Sequence, residues 1–383
     1  MSTTSKYEYL AAIQARYKKA KNIEKKMILD EFCTVCGYNR KYAIRLLNKK
    51  LTSSISSNLS NRGRKKIYDD PLIVEVLRDI WVATNLPCSK RLKAIVPLWL
   101  PSYEMRSLTD EIRQKLLHIS PATIDRIMAP NRAKYCKKGL ATTKPGSLLK
   151  KHIPIKTNQW DETVPGFIEV DSVAHCGSST EGMFVYTINC VDITTSWTEQ
   201  RAVWGKGENG VLNAIKSAES HLPFPLKGFD CDNGSEFLNW HLYRYFSERK
   251  QPVQFTRSRP YKKNDNAHVE EKNWTHIRQY LGYQRFDKPQ LVEQLNDLFE
   301  NQWNNYFNFF IPSFKLLEKY RDGSKITKKH DKSKTPFQRI LESPHIPDET
   351  KQRLQKQFEQ LNPFELYQQI ARKIKTIIKQ VNE

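Results

Sequence analysis

The sequence predicts a multidomain chain: an α-helical N-terminal region, an α/β core built on a mixed five-stranded sheet with flanking helices, and a mainly helical C-terminal region. Three observations carry this. The 383 residues have room for two or three separate cores. The apolar period changes from helical spacing to strand alternation near Gly166 and back to helical spacing after Lys288. The charge is lopsided: residues 1–160 hold 32 Lys and Arg against 12 Asp and Glu, a net of +20, whereas 161–290 sum to −2 and 291–383 to +4.

Residues 1–50 read as helices with Tyr9, Leu10, Ile13 and Tyr17 on one face and Ile28, Leu29, Phe32 and Val35 on the next. A turn at Gly37 leads to a second helix bearing Arg40, Lys41 and Arg45, the pattern of a helix-turn-helix that reads DNA. Residues 51–68 are a flexible basic linker, rich in Ser and Asn, ending in Arg62, Arg64, Lys65 and Lys66. Such an arm suits a narrow minor groove or plain phosphate contacts, and the sequence leaves both open.

A second helical, helix-turn-helix-like unit is expected over 69–130, with Lys90 and Arg91 as DNA contacts. Its last helix starts at Ser120, a good N-cap, followed by Pro121 at the first helical position. Residues 131–160 form a basic, mostly extended connector. The core, 161–287, reads as three strands in FIEVDSVAH, MFVYTINCVDI and WTEQRAVW, then helix, strand, helix, strand and helix. From 288 to 383 a helical scaffold is expected, interrupted by a basic loop at GSKITKKHDKSK.

The N-terminal charge excess favours a polyanion, DNA, as partner. No apolar leader or run of ~18 apolar residues appears, so no membrane role is expected and a cytoplasmic location is. Seven scattered cysteines do not suggest a disulfide framework. Cys33 and Cys36 are a CxxC, but the only His before residue 152 is His118, so core packing is preferred to zinc.

Three acidic residues stand out: Asp171 in GFIEVDSVAHC, Asp232 in GFDCDNGSEF, and Glu270 in RPYKKNDNAHVEEKNW. Asp171 rides a strand, Asp232 closes another, and Glu270 begins a helix facing both. Glu169 and Asp230 share strand faces with the favoured aspartates and compete with them. Glu271 points ~100° away from Glu270. Asn273 lies one turn beyond Glu270, and Asn233 and Gly234 make the turn that exposes Asp232. Arg257, Arg259, Lys262 and Lys263 are placed to contact phosphates. His175 and His268 are read as structural.

These residues resemble those of the retroviral-integrase superfamily, and most closely bacterial insertion-sequence transposases with a DDE catalytic core. The resemblance covers residues 160 to 285 and is strongest in Asp232-Asn233-Gly234-Ser235-Glu236-Phe237 and in Asp265-Asn266-Ala267. Between Asp232 and Glu270 lie 37 residues. The resemblance implies a ribonuclease H-like fold and a site in which Asp171 bridges two Mg²⁺ (or Mn²⁺) ions, with Asp232 on one and Glu270 on the other. It further implies 3′-end cleavage and strand transfer of an insertion sequence. The implied partners are element ends, target duplex and further copies of the chain, in the bacterial cytoplasm with the nucleoid. A structure-selective nuclease of the same fold and an inactive DNA-binding repressor are the alternative readings.

Overall fold

A computed structural model describes residues 3–49, 67–135, 163–232, 234, 236–257 and 267–382. The chain divides into two compact units, Met1–Ile67 and Tyr68–Glu383.

In the first unit, α1 (Thr3–Lys19), α2 (Asn22–Cys36) and α3 (Arg40–Asn48) pack around Leu10, Ile13, Ile28, Leu29, Phe32, Cys36, Ala43 and Leu47. Gly37, at φ 66°, closes α2 in the left-handed conformation that a residue without Cβ adopts freely, and its N–H donates to Cys33 O. Asn39 caps α3, its side chain accepting from Lys41 N. The sequence placed Val35 on the apolar face; the helix instead buries Cys36, one turn beyond Phe32, and leaves Val35 45% exposed.

In the second unit, β1 (Phe167–Ala174), β2 (Val185–Asp192), β3 (Thr198–Trp204), β4 (Gly228–Cys231) and β5 (Gln254–Arg257) form one sheet in the order β3-β2-β1-β4-β5. The pairs β1/β2 and β2/β3 are antiparallel; β1/β4 and β4/β5 are parallel. That is the ribonuclease H-like arrangement. One face buries Ile168, Val170, Ile188, Val203 and Phe229 with apolar residues of α8 (Glu208–Ser220) and α9 (Trp240–Ser247). The other face, through Val173, Val185, Trp197 and Ala202, joins a larger core.

That larger core runs across the expected domain boundaries. It unites α4 (Pro71–Ala83), α5 (Ser89–Trp99), α6 (Asp110–His118) and α7 (Pro121–Tyr135) with the C-terminal helices. Trp99 Nε1 donates to Phe310 O at 3.3 Å and Tyr306 Oη to Ala83 O at 2.7 Å. Residues 69–130 are thus packed into the same unit as the sheet, because α4 and α5 bury Ile73, Val76, Ile80, Leu92, Ile95 and Trp99 completely.

The helix α10 (Ala267–Lys272) continues through a π-helical turn (Asn273–Arg278) into α11 (Gln279–Leu281). Next come α12 (Gln290–Leu298), a second π turn (Phe299–Trp303) and α13 (Asn304–Phe310), then α14 (Pro336–Glu342), α15 (Asp348–Gln360) and α16 (Pro363–Asn382). The expected basic loop is half of a hairpin, β6 (Leu316–Asp322) with β7 (Lys325–His330). Gly323-Ser324 supplies the turn, with Gly323 at φ 57°. The exposed edge of β3 is covered by side chains: Asn296 pairs with N and O of Ala202, and Asn308 with N and O of Thr198. Two amides thereby stand in for a sixth strand and block edge-to-edge pairing. No helix among the described residues is long and apolar enough to cross a membrane.

Candidate active site

Alternation along β1 sends Ile168 and Val170 to one face and Glu169, Asp171 and Val173 to the other, where α10 lies. Asp171 Oδ1 accepts from Ser172 N at 2.7 Å, and Oδ2 accepts from Asn273 Nδ2 at 2.7 Å. Burial pushes the Asp171 carboxyl up to about 6, and the negative charges of Asp232 and Glu270 push in the same direction against those two hydrogen bonds. Asp171, on the central strand, thus lies within electrostatic reach of Asp232, just past β4, and of Glu270, in the first turn of α10.

Asn273 is held in turn. Asp171, Asn189 and Gln200 are register partners across β1, β2 and β3. Gln200 Nε2 donates to Asn189 Oδ1, Asn189 Nδ2 to Asn273 Oδ1, and Asn273 Nδ2 to Asp171, the first two at 2.8 Å. An ionised carboxylate only accepts, so it fixes the direction of every amide behind it. The sequence pointed to Asn273; it gave no sign of Asn189 or Gln200, whose polarity on buried strands was the available signal.

Glu169, a rival for Asp171 in the sequence, has a different place. Its Oε2 accepts from the backbone N–H groups of His268 and Val269, both at 3.0 Å, anchoring the start of α10. Burial, with Asp230 and Glu270 nearby, raises its carboxyl to about 8. Asp230 accepts from Thr256 Oγ1 on β5 at 2.5 Å.

A fourth carboxylate, Glu236, belongs to the site. A Cβ on Gly234 would stand 2.5 Å from Glu236 Oε2 and 2.9 Å from Asp232 Oδ1, so the two acids lie on either side of this glycine and a side chain there would displace their carboxylates. Asp232 Oδ1 accepts from Gly234 N at 2.9 Å. Glu236 is buried and accepts from Ser172 Oγ at 3.0 Å and Lys206 Nζ at 2.5 Å. Burial is the largest influence and raises its carboxyl, but the bond and charge of Lys206, a backbone N–H and the Ser172 hydroxyl together outweigh it and leave the group below the usual range.

The two histidines are structural. His175 is fully buried, stacked on Phe286 with ring centroids 4.6 Å apart, and its Nε2 pairs with Thr187 Oγ1. Burial lowers His268 to about 4. Among the expected DNA contacts, Lys41 and Arg45 are exposed on α3 while Arg40 pairs with Asp30. Lys90 is exposed, but Arg91 Nε donates to Pro312 O at 2.9 Å, a tie within the unit that the sequence did not suggest. Arg257 ends β5 and is exposed. Arg62, Arg64, Lys65, Lys66, Asn233, Arg259, Lys262 and Lys263 lie outside the described residues.

By chemistry the donors suit a hard divalent cation: they are carboxylate oxygens carried by separate elements, two of them flanking Gly234. Among the described residues no three His, Cys, Asp or Glu side chains close into a ready cage.

Fold and site together define a ribonuclease H-like α/β protein with a carboxylate cluster at the centre of its sheet. The chain belongs to the same family as a protein of Sinorhizobium fredii (strain NBRC 101917 / NGR234), uncharacterized protein y4rM, to which it is 37% identical over 345 residues, 88% of this chain and 96% of that one. No family model matches. Among solved structures, the chain is similar to the catalytic core domain of BIV integrase (15% identity, 47% of this chain and 96% of that one, TM-score 0.30). It is also similar to a chain of the simian T-cell lymphotropic virus intasome in complex with PP2A regulatory subunit B56 gamma (13% identity, 50% and 59%, TM-score 0.27). The fold assignment rests on the strand order itself.

Proposed function

We propose that the chain is a DDE transposase of the integrase type, a polynucleotidyl transferase that cleaves the 3′ ends of an insertion sequence and joins them to target DNA. One observation carries the reading: Asp171 on the central strand feels both Asp232 and Glu270 while Asn273, from the helix of Glu270, grips its carboxylate.

Asp171, Asp232 and Glu270 would hold two Mg²⁺ or Mn²⁺ ions. Bound there, the ions supply charge stabilisation for the attacking and leaving oxygens of an in-line phosphodiester displacement. The protein's own residues set the geometry. Asn273 fixes the rotation of the Asp171 carboxylate, Glu169 fixes the start of the Glu270 helix, and Gly234 leaves room between Asp232 and Glu236. Lys206 balances the extra charge of Glu236. Ahead of this core, the helices of residues 1–50 would read element ends through Lys41 and Arg45, with Arg62, Arg64, Lys65 and Lys66 on phosphates. Several copies would assemble on two DNA ends.

The test incubates the full chain with duplexes made from the DNA on either side of its coding region, in Mg²⁺ or Mn²⁺. A joined product is expected. Cutting without joining would assign the fold to a nuclease, and neither product would leave only DNA binding.

A further inference from the structure

The first turn of α9 has an outward face that the proposed chemistry does not use. Trp240 and Tyr243 are 71% and 52% exposed, whereas Leu242 and Phe246 on the inner face are fully buried. The two rings pack edge to face, with centroids 5.6 Å apart at 88°. Arg244, at i+4 from Trp240, is exposed beside them. Large aromatics placed outward in this way mark a surface that meets something.

This face is held to the carboxylate cluster. Asn239 caps α9, its Oδ1 accepting from Leu242 N at 3.0 Å, while its Nδ2 donates to Glu236 O at 2.8 Å. Trp240 lies four positions along the chain from Glu236, so their Cα atoms are at most ~14 Å apart at ~3.5 Å per residue. At about 3.4 Å per nucleotide on one strand, that is the reach of a few nucleotides.

We propose that Trp240 and Tyr243 form a stacking site for an unpaired nucleobase of the DNA strand entering the carboxylate cluster, with Arg244 on the adjoining phosphate. This rests on the reading of the chain as a DNA-processing enzyme and names the form of DNA its site takes. The chemistry of the face selects this occupant. Aromatic faces stack on any base, and a cation beside them pairs with the phosphate. A base inside a duplex has both faces covered by its stacked neighbours, so the strand must be open there.

The experiment uses the full chain and short duplexes with a three-nucleotide single-stranded extension, 3′ or 5′, carrying 2-aminopurine at each extension position in turn, with EDTA so that no strand is cut. Binding of the native chain is expected to lower the 2-aminopurine fluorescence severalfold at one or more positions of one extension. A Trp240→Ala/Tyr243→Ala chain, which still binds the duplex through its basic regions, should leave the probe bright; Trp240→Phe should retain the quenching. Equal quenching by the double variant, a bright probe with the native chain, or a change of oligomeric state in the double variant with no change in quenching would overturn the stacking site. The last of these would give the face to a second copy of the chain. Joining activity in Mg²⁺ is read separately. If joining is absent while the quenching depends on Trp240, the enzymatic reading falls and the stacking site stands.

Discussion

Asn273 Nδ2 donates to Asp171 Oδ2 at 2.7 Å, and this one bond locks the helix that carries Glu270 to the strand that carries Asp171. Because the carboxylate only accepts, the same bond sets the direction of the Asn189 and Gln200 bonds behind it.

Asn189→Leu leaves the amide oxygen of Asn273 and the Nε2 of Gln200 without partners in a buried layer. Each orphaned group costs about 1–3 kcal/mol. A lowered thermal midpoint is expected, with at least a tenfold slower joining rate and unchanged affinity for end DNA. Adding Asn273→Leu should cost less than the sum of the two single changes, because both break the same chain of bonds. Full additivity would show that the amides act separately.

Glu169 separates a positioning role from a metal-holding one. Glu169→Gln keeps an oxygen that can accept from His268 and Val269, so activity within a few-fold of the native chain is expected. Glu169→Leu removes the acceptor and leaves two N–H groups at the helix start unpaired, for about 1–3 kcal/mol of stability and a large loss of joining. If the Gln variant is as inactive as Asp171→Asn, Glu169 holds metal.

His175 predicts how the sheet responds to acid. Burial lowers its imidazole to about 3, against an ordinary value of 6.5. The unfolded chain therefore binds the proton first as pH falls, and the stability that neutral His175 contributes is complete above pH 6.5 and lost progressively as pH falls toward 3. Denaturant unfolding at pH 7 and pH 4.5 should show the loss. His175→Phe, which preserves the stack on Phe286, should reduce the difference between the two pH values; an unchanged difference would assign the slope to other groups.

Much of the fold was legible because strands in this chain are dense in β-branched and aromatic residues. FIEVDSVAH and WTEQRAVW alternate or stay buried over lengths that only strands fit, and the DNGSEF turn marked the end of β4. The three acids stand out in the sequence because each sits in a short motif. What could not be read was contact at long range. Nothing local says that Asn189 lies opposite Asp171, that Glu169 caps α10, or that Arg91 reaches the carbonyl of Pro312. The core shared by residues 69–130 and the C-terminal helices escaped for the same reason: amphipathic helices declare an apolar face without naming its partner. The β6–β7 hairpin was hidden by lysines, which mask the strand signal of Ile326 and Thr327.

The central claim is that Asp171, Asp232 and Glu270 act as one site. The measurement is joining of end DNA to a target duplex in Mg²⁺ by Asp171→Asn, Asp232→Asn and Glu270→Gln chains, with binding of the same end DNA followed in parallel. Each variant is expected to bind as the native chain does and to give no joined product. Joining that survives in any one of the three, at rates near the native chain, would contradict the account.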